Sequence, residues 1–220
     1  MKNIQVAIDG PAGAGKSSIS KAVAKRLGLV YVDTGAMYRA CAVYAIENGI
    51  DINEKAITPY LDKIKIDIAY NEEGQRIFLN GQDVSQRIRE TDATAGSSAI
   101  AVIPAVRLKL VELQREIAKS KSVIMDGRDI GTYVLPNADL KIYLTASVEE
   151  RAKRRYFEMR EKGIECDIHK VCDDIRKRDE NDTNREFAPL KQAEDAVFVD
   201  SSDMSFDEVC DTIQGLIEKI

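Results

Sequence analysis

Residues near the N-terminus have the types and spacing needed to hold a chain of phosphates. Residues 10–17, GPAGAGKS, fit the pattern G-x-x-x-x-G-K-[ST] at every fixed position. Glycines let the backbone approach an anion closely, and successive main-chain N–H groups can then surround a β-phosphate. The pattern follows one predicted strand and opens one predicted helix, which is the structural context that it requires. The sequence therefore predicts a phosphate-binding loop.

Two side chains of this loop have predicted tasks of their own. Lys16 supplies a point charge to the β- and γ-phosphates of a nucleotide, and the helix that it opens adds its positive N-terminal end. The hydroxyl of Ser17 is suited to Mg²⁺. The sequence leaves the next partner of that metal open among Asp126, Asp33 and water.

The loop alone fits GTPases, motor-type ATPases and small-molecule kinases. The chain shows no Asn-Lys-x-Asp motif after a strand, and 220 residues are few for a large ATPase of the AAA type. A small-molecule kinase is the remaining class, and it must hold a second anion against the γ-phosphate. Arginine suits that task because its planar fork binds phosphate with two hydrogen bonds.

Three segments supply such arginines. They are DTGAMYR at residues 33–39, DGRDIGT at residues 126–132 and RDENDTNR at residues 178–185. The first two follow predicted strands, where open α/β sheets bind ligands, and the third is predicted to lie between a helix and a strand. Each also has a plainer interpretation: Arg39 as a helix-surface residue, and Arg128 as a structural ion pair. Arginines of residues 151–160 could likewise form a solvated helix face.

The elements that must position these residues alternate along the chain. Apolar runs at residues 4–8, 29–32, 123–125, 140–144 and 197–199 predict five buried parallel strands with helices between them. Residues 64–70 instead alternate with period two, the segment at residues 71–74 predicts a turn, and Asn80-Gly81 predicts a hairpin. The fold class is therefore α/β, a doubly wound five-stranded parallel sheet with a small antiparallel β insert.

Composition sets broader limits. The chain is 44% hydrophobic and carries a formal net charge of −5, which argues against a nucleic-acid partner but not against a small anion. Its four cysteines have no Cys-x-x-Cys spacing, and with a single histidine they do not indicate a zinc site. The sequence contains no apolar run long enough for a transmembrane helix. We expect a cytoplasmic protein with reduced cysteines and no membrane contact.

At these motifs the sequence closely resembles bacterial-type cytidylate kinases. The matching segments are IDGPAGAGKSS, DTGAMYR, DGRDIGT and RDENDTNREFAPL followed by AEDA, and they run in the family's order from residue 8 to residue 196. The resemblance implies a P-loop NTPase core over residues 1–220, a monophosphate-binding β insert at residues 62–88 and a helical lid at residues 150–186. It also implies a monomer.

The resemblance further implies residue roles. The catalytic residues are Lys16, Arg128 and Arg185. The ATP-binding residues are Gly10, Pro11, Ala12, Gly13, Ala14, Gly15, Lys16, Ser17, Ser18 and Arg154. The substrate-binding residues are Thr34, Arg39, Ser98, Arg107, Arg128, Asp129, Arg178, Asp182 and Arg185, with Ser97 an alternative to Ser98. Ser17 is the implied metal ligand, and Mg²⁺ accompanies ATP.

The activity implied is transfer of the γ-phosphoryl group of ATP to CMP and dCMP. The phosphate acceptor is already anionic near neutral pH, so the reaction needs no general base. One alternative is a kinase for a different nucleotide or for a metabolite alcohol, which would need a base beside the hydroxyl. Another is a non-catalytic nucleotide switch with a protein partner. The sequence leaves open the preference between CMP and dCMP and the tolerance of UMP.

Overall fold

The computed structural model describes residues 3–71, 74–161 and 163–220. The strands and larger helices follow in chain order as Gln5–Asp9 (β1), Lys16–Leu27 (α1), Val30–Asp33 (β2), Thr34–Glu47 (α2), Glu54–Ile57 (α3), Ile66–Asn71 (β3), Gly74–Leu79 (β4), Gln82–Asp83 (β5), Thr91–Ile100 (α4), Pro104–Ser120 (α5), Val123–Gly127 (β6), Leu140–Thr145 (β7), Val148–Glu161 (α6), Ile168–Asn184 (α7), Val197–Asp200 (β8) and Phe206–Ile217 (α8). Short 3₁₀ turns lie at Thr58–Lys63 and Arg87–Arg89, and a π-helical turn lies at Ile130–Val134.

Within the described residues, the main sheet is parallel and has five strands in the order β2-β6-β1-β7-β8. The central strand β1 pairs with β6 on one side and β7 on the other, so that Ala7 lies opposite both Met125 and Lys141. Val6, Ala7 and Ile8 have no exposed surface, because helices cover both faces of such a sheet. The predicted fold class is confirmed.

The chain divides into two compact units, and the boundary falls inside β2. One unit contains the chain up to Val30 and all of Ser122–Ile220, and we call it the loop unit because it holds the phosphate loop. The other, Tyr31–Lys121, is the insert unit. The single domain over residues 1–220 and the lid at residues 150–186 stay predictions.

The core of the insert unit forms around α2, which is buried along most of its length. Helix α4 packs closely on α2 at Gly96, where an added Cβ would lie 3.1 Å from the Cβ of Ala42. Strands β3, β4 and β5 form an antiparallel sheet, and Ile66 pairs with Leu79. The predicted hairpin turn is present, with positive φ angles of 50° at Asn80 and 82° at Gly81. The predicted turn at residues 71–74 includes Glu72 and Glu73, which lie outside the described residues.

Local sequence signals mark several helix ends. Gly28 ends α1 in the left-handed conformation with a φ of 67°. Ser205 and Glu208 form a capping box at the start of α8. At α6, the hydroxyl of Ser147 accepts a hydrogen bond from the N–H of Glu150 at 3.2 Å.

One sequence prediction of structure was wrong. The arginine-rich segment that starts at Arg178 does not lie between a helix and a strand but forms the last turns of α7, up to Asn184. The apolar positions that mark this helix end at Ile175, so the pattern does not reveal the continuation. Polar contacts hold those last turns instead, since Asp179 binds the buried Arg151 and Asp182 binds the partly buried Arg128 of the loop unit.

No single helix among the described residues is long and apolar enough to span a membrane. Helices α4 and α5 meet that composition only when they are taken together, and they are bent by 102° where they join.

Candidate active site

The phosphate loop leaves β1 through a glycine that the fold requires. Gly10 has a φ of 151°, and a Cβ at this position would lie 1.9 Å from the carbonyl oxygen of Leu144. Gly13 and Gly15 also have positive φ angles, of 76° and 83°. Gly15 precedes α1 and has no side chain to cap the helix, so the first N–H groups of α1 stay available to an anion.

Lys16 is buried in this loop. Its Nζ donates to the carbonyl oxygen of Pro11 at 2.7 Å, and the residue is only 6% exposed. Burial lowers the pKa of Lys16 well below its usual value, and the positive charge of Arg128 lowers it further. An anionic phosphate bound here would offset the effects of burial and of Arg128 and favour the charged ammonium. The charges around Lys16 therefore suit an anionic ligand.

Ser17 and Asp126 supply oxygen ligands of the kind that Mg²⁺ takes. The hydroxyl of Ser17, at the start of α1, donates to Oδ2 of Asp126 at 2.8 Å. Asp126 follows the three apolar residues of β6 and is buried. A hydroxyl beside a carboxylate fits a hard cation whose other ligands come from phosphate and water. Of the candidates that the sequence left open, Asp126 is the one that contacts Ser17.

Asp9 lies at the end of β1, directly before the loop. Its Oδ1 accepts from the N–H of Ile130 at 2.8 Å, and its Oδ2 accepts from the N–H of Gly131 at 2.7 Å. Burial raises the pKa of Asp9 to about 6; the two N–H groups and Lys16 oppose this rise, and the negative charge of Asp129 adds to it.

Asp9 therefore gives the stability of the chain a specific pH dependence. Because its pKa in the folded chain lies above the ordinary 3.8, the folded chain holds this proton more tightly than the unfolded chain does. The stabilising contribution is fully present below the ordinary pKa of 3.8 and is lost as the pH rises through about 6. Relative to Asp9→Asn, the wild-type chain should lose about 2 kcal/mol of unfolding free energy between pH 4 and pH 6, and about 3 kcal/mol in all once the pH is well above 6. Urea unfolding of both proteins across this range checks the prediction, and a difference that does not change with pH would contradict it.

Arg128 forms a partly buried ion pair with the end of α7. Its Nε donates to Oδ2 of Asp182 at 2.6 Å. Burial alone would lower the pKa of Arg128, but Asp182 and then Asp126 raise it overall. Burial alone would raise the pKa of Asp182, and Arg128, Arg178 and Arg185 lower it overall. Both groups therefore stay charged, and the guanidinium is partly shielded from solvent before any ligand binds.

Arg185 and Asp129 complete the same cluster. Nη2 of Arg185 lies 3.4 Å from Oδ1 of Asp129, and both side chains are less than 10% exposed. Nε of Arg185 donates to the carbonyl oxygen of Ala188 at 2.7 Å, which fixes the plane of the guanidinium. The loop unit thus brings together Arg128, Asp129, Asp182 and Arg185, four of the residues predicted to bind substrate.

Two arginines of α6 contact the phosphate loop or its surroundings. Arg151 donates to the carbonyl oxygens of Ala12 and Ala146, both at 2.9 Å, and to Oδ2 of Asp179 at 2.6 Å. The sequence interpretation of a solvated face fails for Arg151, whose side chain is 5% exposed. Arg154 bonds to Ser201, and its Nη1 lies 3.9 Å from the point where a Cβ on Gly15 would lie. The proximity supports Arg154 as a nucleotide contact.

Asp179 was not singled out by the sequence. Its Oδ1 accepts from the N–H of Ala12 at 3.3 Å while its Oδ2 binds Arg151. The two side chains therefore bind both the N–H and the carbonyl oxygen of one residue of the phosphate loop, Ala12. The only sequence signal was the position of Asp179 directly after Arg178, within a charged run.

Of the other predicted substrate residues, Arg178 lies on α7 in the loop unit, and the remaining four belong to the insert unit. Arg39 pairs with Asp33 at 2.9 Å, and Thr34 is buried at the start of α2. Arg107 is 1% exposed, donates to the carbonyl oxygen of Ala101 at 2.9 Å and lies 5.4 Å from the ring centre of Tyr38. Of the two candidate serines, Ser97 is buried and donates to Thr94, while Ser98 is exposed. The assignment of Ser98 stays a prediction.

A phosphate loop between the central strand and the first helix of a parallel sheet defines a P-loop protein. The chain belongs to the cytidylate kinase family, whose model matches residues 6–219. It is thus a nucleotide-dependent kinase, a phosphotransferase, and the resemblance noted in the sequence is confirmed.

Curated relatives match over the full length. The chain is 50% identical to a cytidylate kinase of Caldicellulosiruptor bescii over 221 residues, covering 100% of this chain and 98% of the relative. It is 49% identical to a cytidylate kinase of Exiguobacterium sp. over 220 residues, with the same two coverages. A solved structure of an uncharacterized protein from Eubacterium ventriosum has a TM-score of 0.57 at 11% identity, covering 99% of this chain and 100% of that one. This last likeness concerns the fold alone.

Proposed function

We propose that the chain transfers the γ-phosphoryl group of ATP to the phosphate of CMP, and also of dCMP, giving ADP and CDP or dCDP. The observation that carries this proposal is the ion-paired cluster of Arg128, Asp129, Asp182 and Arg185, which lies in the same unit as the phosphate loop. Family membership supports the cytidine acceptor, because the curated relatives are cytidylate kinases.

The donor nucleotide would bind to the loop at residues 10–18. Main-chain N–H groups surround its β-phosphate, Lys16 approaches the β- and γ-phosphates, and Arg154 contributes from α6. Ser17 and Asp126 would hold Mg²⁺, which neutralises charge on the phosphate oxygens when it is bound. The Nζ of Lys16 would exchange the carbonyl oxygen of Pro11 for phosphate oxygens.

The acceptor would bind through three kinds of contact. Arg39, Arg128 and Arg185 hold its phosphate. Asp129, Arg107 and Ser98 bind the cytosine edge, which presents one amino donor and two acceptors and so matches a carboxylate, a guanidinium and a hydroxyl. Arg178 and Asp182 contact the ribose, and Thr34 lies beside the substrate.

Catalysis in this proposal is electrostatic. A phosphate nucleophile is already anionic, so the chain needs to align it with the γ-phosphoryl group and to neutralise charge in the transition state. Lys16 and the arginines do both. The lid at residues 150–186 would close over the donor and exclude water, which protects ATP from hydrolysis.

A coupled assay of ADP release tests the proposal. The full chain is given Mg²⁺-ATP with CMP, dCMP, UMP, AMP, GMP or shikimate in parallel. We expect CMP and dCMP to have kcat/KM values at least about tenfold above every other acceptor, because a buried polar site rejects bases with unmatched groups. Faster turnover of a purine nucleotide or of shikimate would contradict the cytidine assignment. ADP release that ignores every acceptor would indicate a nucleotide switch instead.

A further inference from the structure

Asp9 has no role in the function proposed above, although the fold buries it between the phosphate loop and the segment that carries Arg128 and Asp129. We propose that Asp9 is a positioning residue that holds this segment in its acceptor-binding conformation, and this inference rests on the proposed function. Asp9 would act through main-chain hydrogen bonds, without touching either nucleotide.

The contacts of Asp9 are specific to that segment. Each carboxylate oxygen accepts one main-chain hydrogen bond, Oδ1 from Ile130 at 2.8 Å and Oδ2 from Gly131 at 2.7 Å. Both donors lie more than 120 residues away in sequence. Because the two oxygens bind successive N–H groups, the carboxylate sets both the position and the direction of the chain that leaves Asp129.

The backbone of the same segment explains why it needs this support. The carbonyl oxygen of Asp129 accepts from the N–H groups of Tyr133 at 2.8 Å and Val134 at 3.0 Å, which closes a π-helical turn. π-helical turns are rare and lack the regular bonding of an α-helix. The N–H groups of Ile130 and Gly131 open this turn, and Asp9 is the acceptor for both.

Gly131 shows how closely the segment is fitted. A Cβ at this position would lie 3.1 Å from Cδ of Lys141 and 3.4 Å from Oδ2 of Asp9. Lys141 is itself buried and bonded to Asp195 at 2.9 Å, so its side chain has little room to move. A methyl group at position 131 would therefore press on the contact between Asp9 and Gly131 from the other side.

Loss of the hydrogen bonds from Ile130 and Gly131 to Asp9 would weaken acceptor binding more than donor binding. Arg128 and Asp129 directly precede the bonded N–H groups, and their partners Asp182 and Arg185 lie on α7 or directly after it. A shift of the segment would displace Arg128 and Asp129 from those partners. The phosphate loop keeps its own constraints, since Gly10 is set by its contact with Leu144 and α1 is packed against the sheet.

Isothermal titration calorimetry on Asp9→Asn tests the inference, with CMP and a non-hydrolysable ATP analogue as separate ligands. The amide offers one acceptor oxygen in place of two, and its NH₂ group faces an N–H donor. We expect the Kd for CMP to rise about tenfold while the Kd for the ATP analogue changes less than about threefold. Equal losses for both ligands, or an unchanged Kd for CMP, would overturn the inference.

Asp139→Asn is the matched control. Oδ2 of Asp139 accepts from the N–H of Gln5 at 2.9 Å, at the opposite end of β1. We expect this variant to bind CMP within about twofold of wild type, since it is far from both ligands. A loss of CMP affinity equal to that of Asp9→Asn would show that any damage to β1 has this effect, and would overturn the inference.

Gly131→Ala provides a second test if Asp9→Asn does not fold, as judged by circular dichroism. It should also weaken CMP more than the ATP analogue, and unchanged CMP binding would overturn the inference. The wild-type titration separates the two proposals. If the wild-type chain binds CMP and Asp9→Asn binds CMP with the same Kd, only the role of Asp9 is refuted. If the wild-type chain does not bind CMP, both the proposed function and this inference are refuted.

Discussion

Lys16→Ala is expected to lower kcat for CMP phosphorylation by about 100-fold or more, the cost of losing one transition-state donor in a desolvated site. Lys16 is buried within the phosphate loop, where its Nζ donates to the carbonyl oxygen of Pro11 at 2.7 Å, so the group lies beside the phosphate site before the nucleotide arrives. Alanine removes this charge and leaves the glycine backbone of the loop in place.

Steady-state kinetics with saturating Mg²⁺-ATP and CMP measures the effect. Lys21→Ala is the matched control, because Lys21 is an exposed lysine of the same helix. The control should retain wild-type kcat within about twofold, as surface substitutions usually do. Activity of Lys16→Ala within a few-fold of wild type would remove Lys16 from the catalytic residues.

Arg128→Ala is expected to lower kcat by a similar factor, about 100-fold or more, because in the proposed mechanism the guanidinium aligns the acceptor phosphate and neutralises charge in the transition state. Its KM for CMP should rise as well, since the same group holds the acceptor phosphate. The physical basis is that Arg128 is partly buried and held by Asp182 at 2.6 Å, so solvent screens its charge less than that of a surface arginine.

The substitution also removes the partner of Asp182, so folding must be checked separately. Thermal unfolding should show a lowered Tm, because Asp182 would lose the hydrogen-bonded partner whose positive charge lowers its pKa most. Arg176→Ala, an exposed arginine of α7 paired with Glu149 and Asp173, serves as the control for loss of a helix ion pair. A folded Arg128→Ala variant with nearly wild-type kcat would leave Arg128 as the structural ion pair that the sequence also allowed.

The features that could be predicted from the sequence depend on local chemistry. The phosphate loop requires glycines at positions with positive φ, and the Asn80-Gly81 turn requires the same conformation at both of its residues. The capping box of Ser205 and Glu208 spans four residues. Such patterns are complete within a few residues, so their structure follows from sequence neighbours alone.

The environment of single side chains was harder to predict from the sequence. Arg151 has the same sequence context as its exposed neighbours on α6, and only packing against Ala12 and Asp179 distinguishes it. The continuation of α7 beyond Ile175 was not predicted, because ion pairs with distant arginines leave no apolar periodicity in the sequence.

The amino-acid sequence by itself determined the phosphate loop, the alternation of strands and helices and the motifs that mark the family. Each of these depends on residues that are close together in the sequence. Tertiary structure alone decided the strand order β2-β6-β1-β7-β8, the pairing of Asp9 with Ile130 and Gly131, and the pairing of Arg128 with Asp182. These contacts join residues 54 to 122 positions apart. Their partners are selected by burial and by the need to satisfy buried charges and N–H groups, which operate only once the chain has folded.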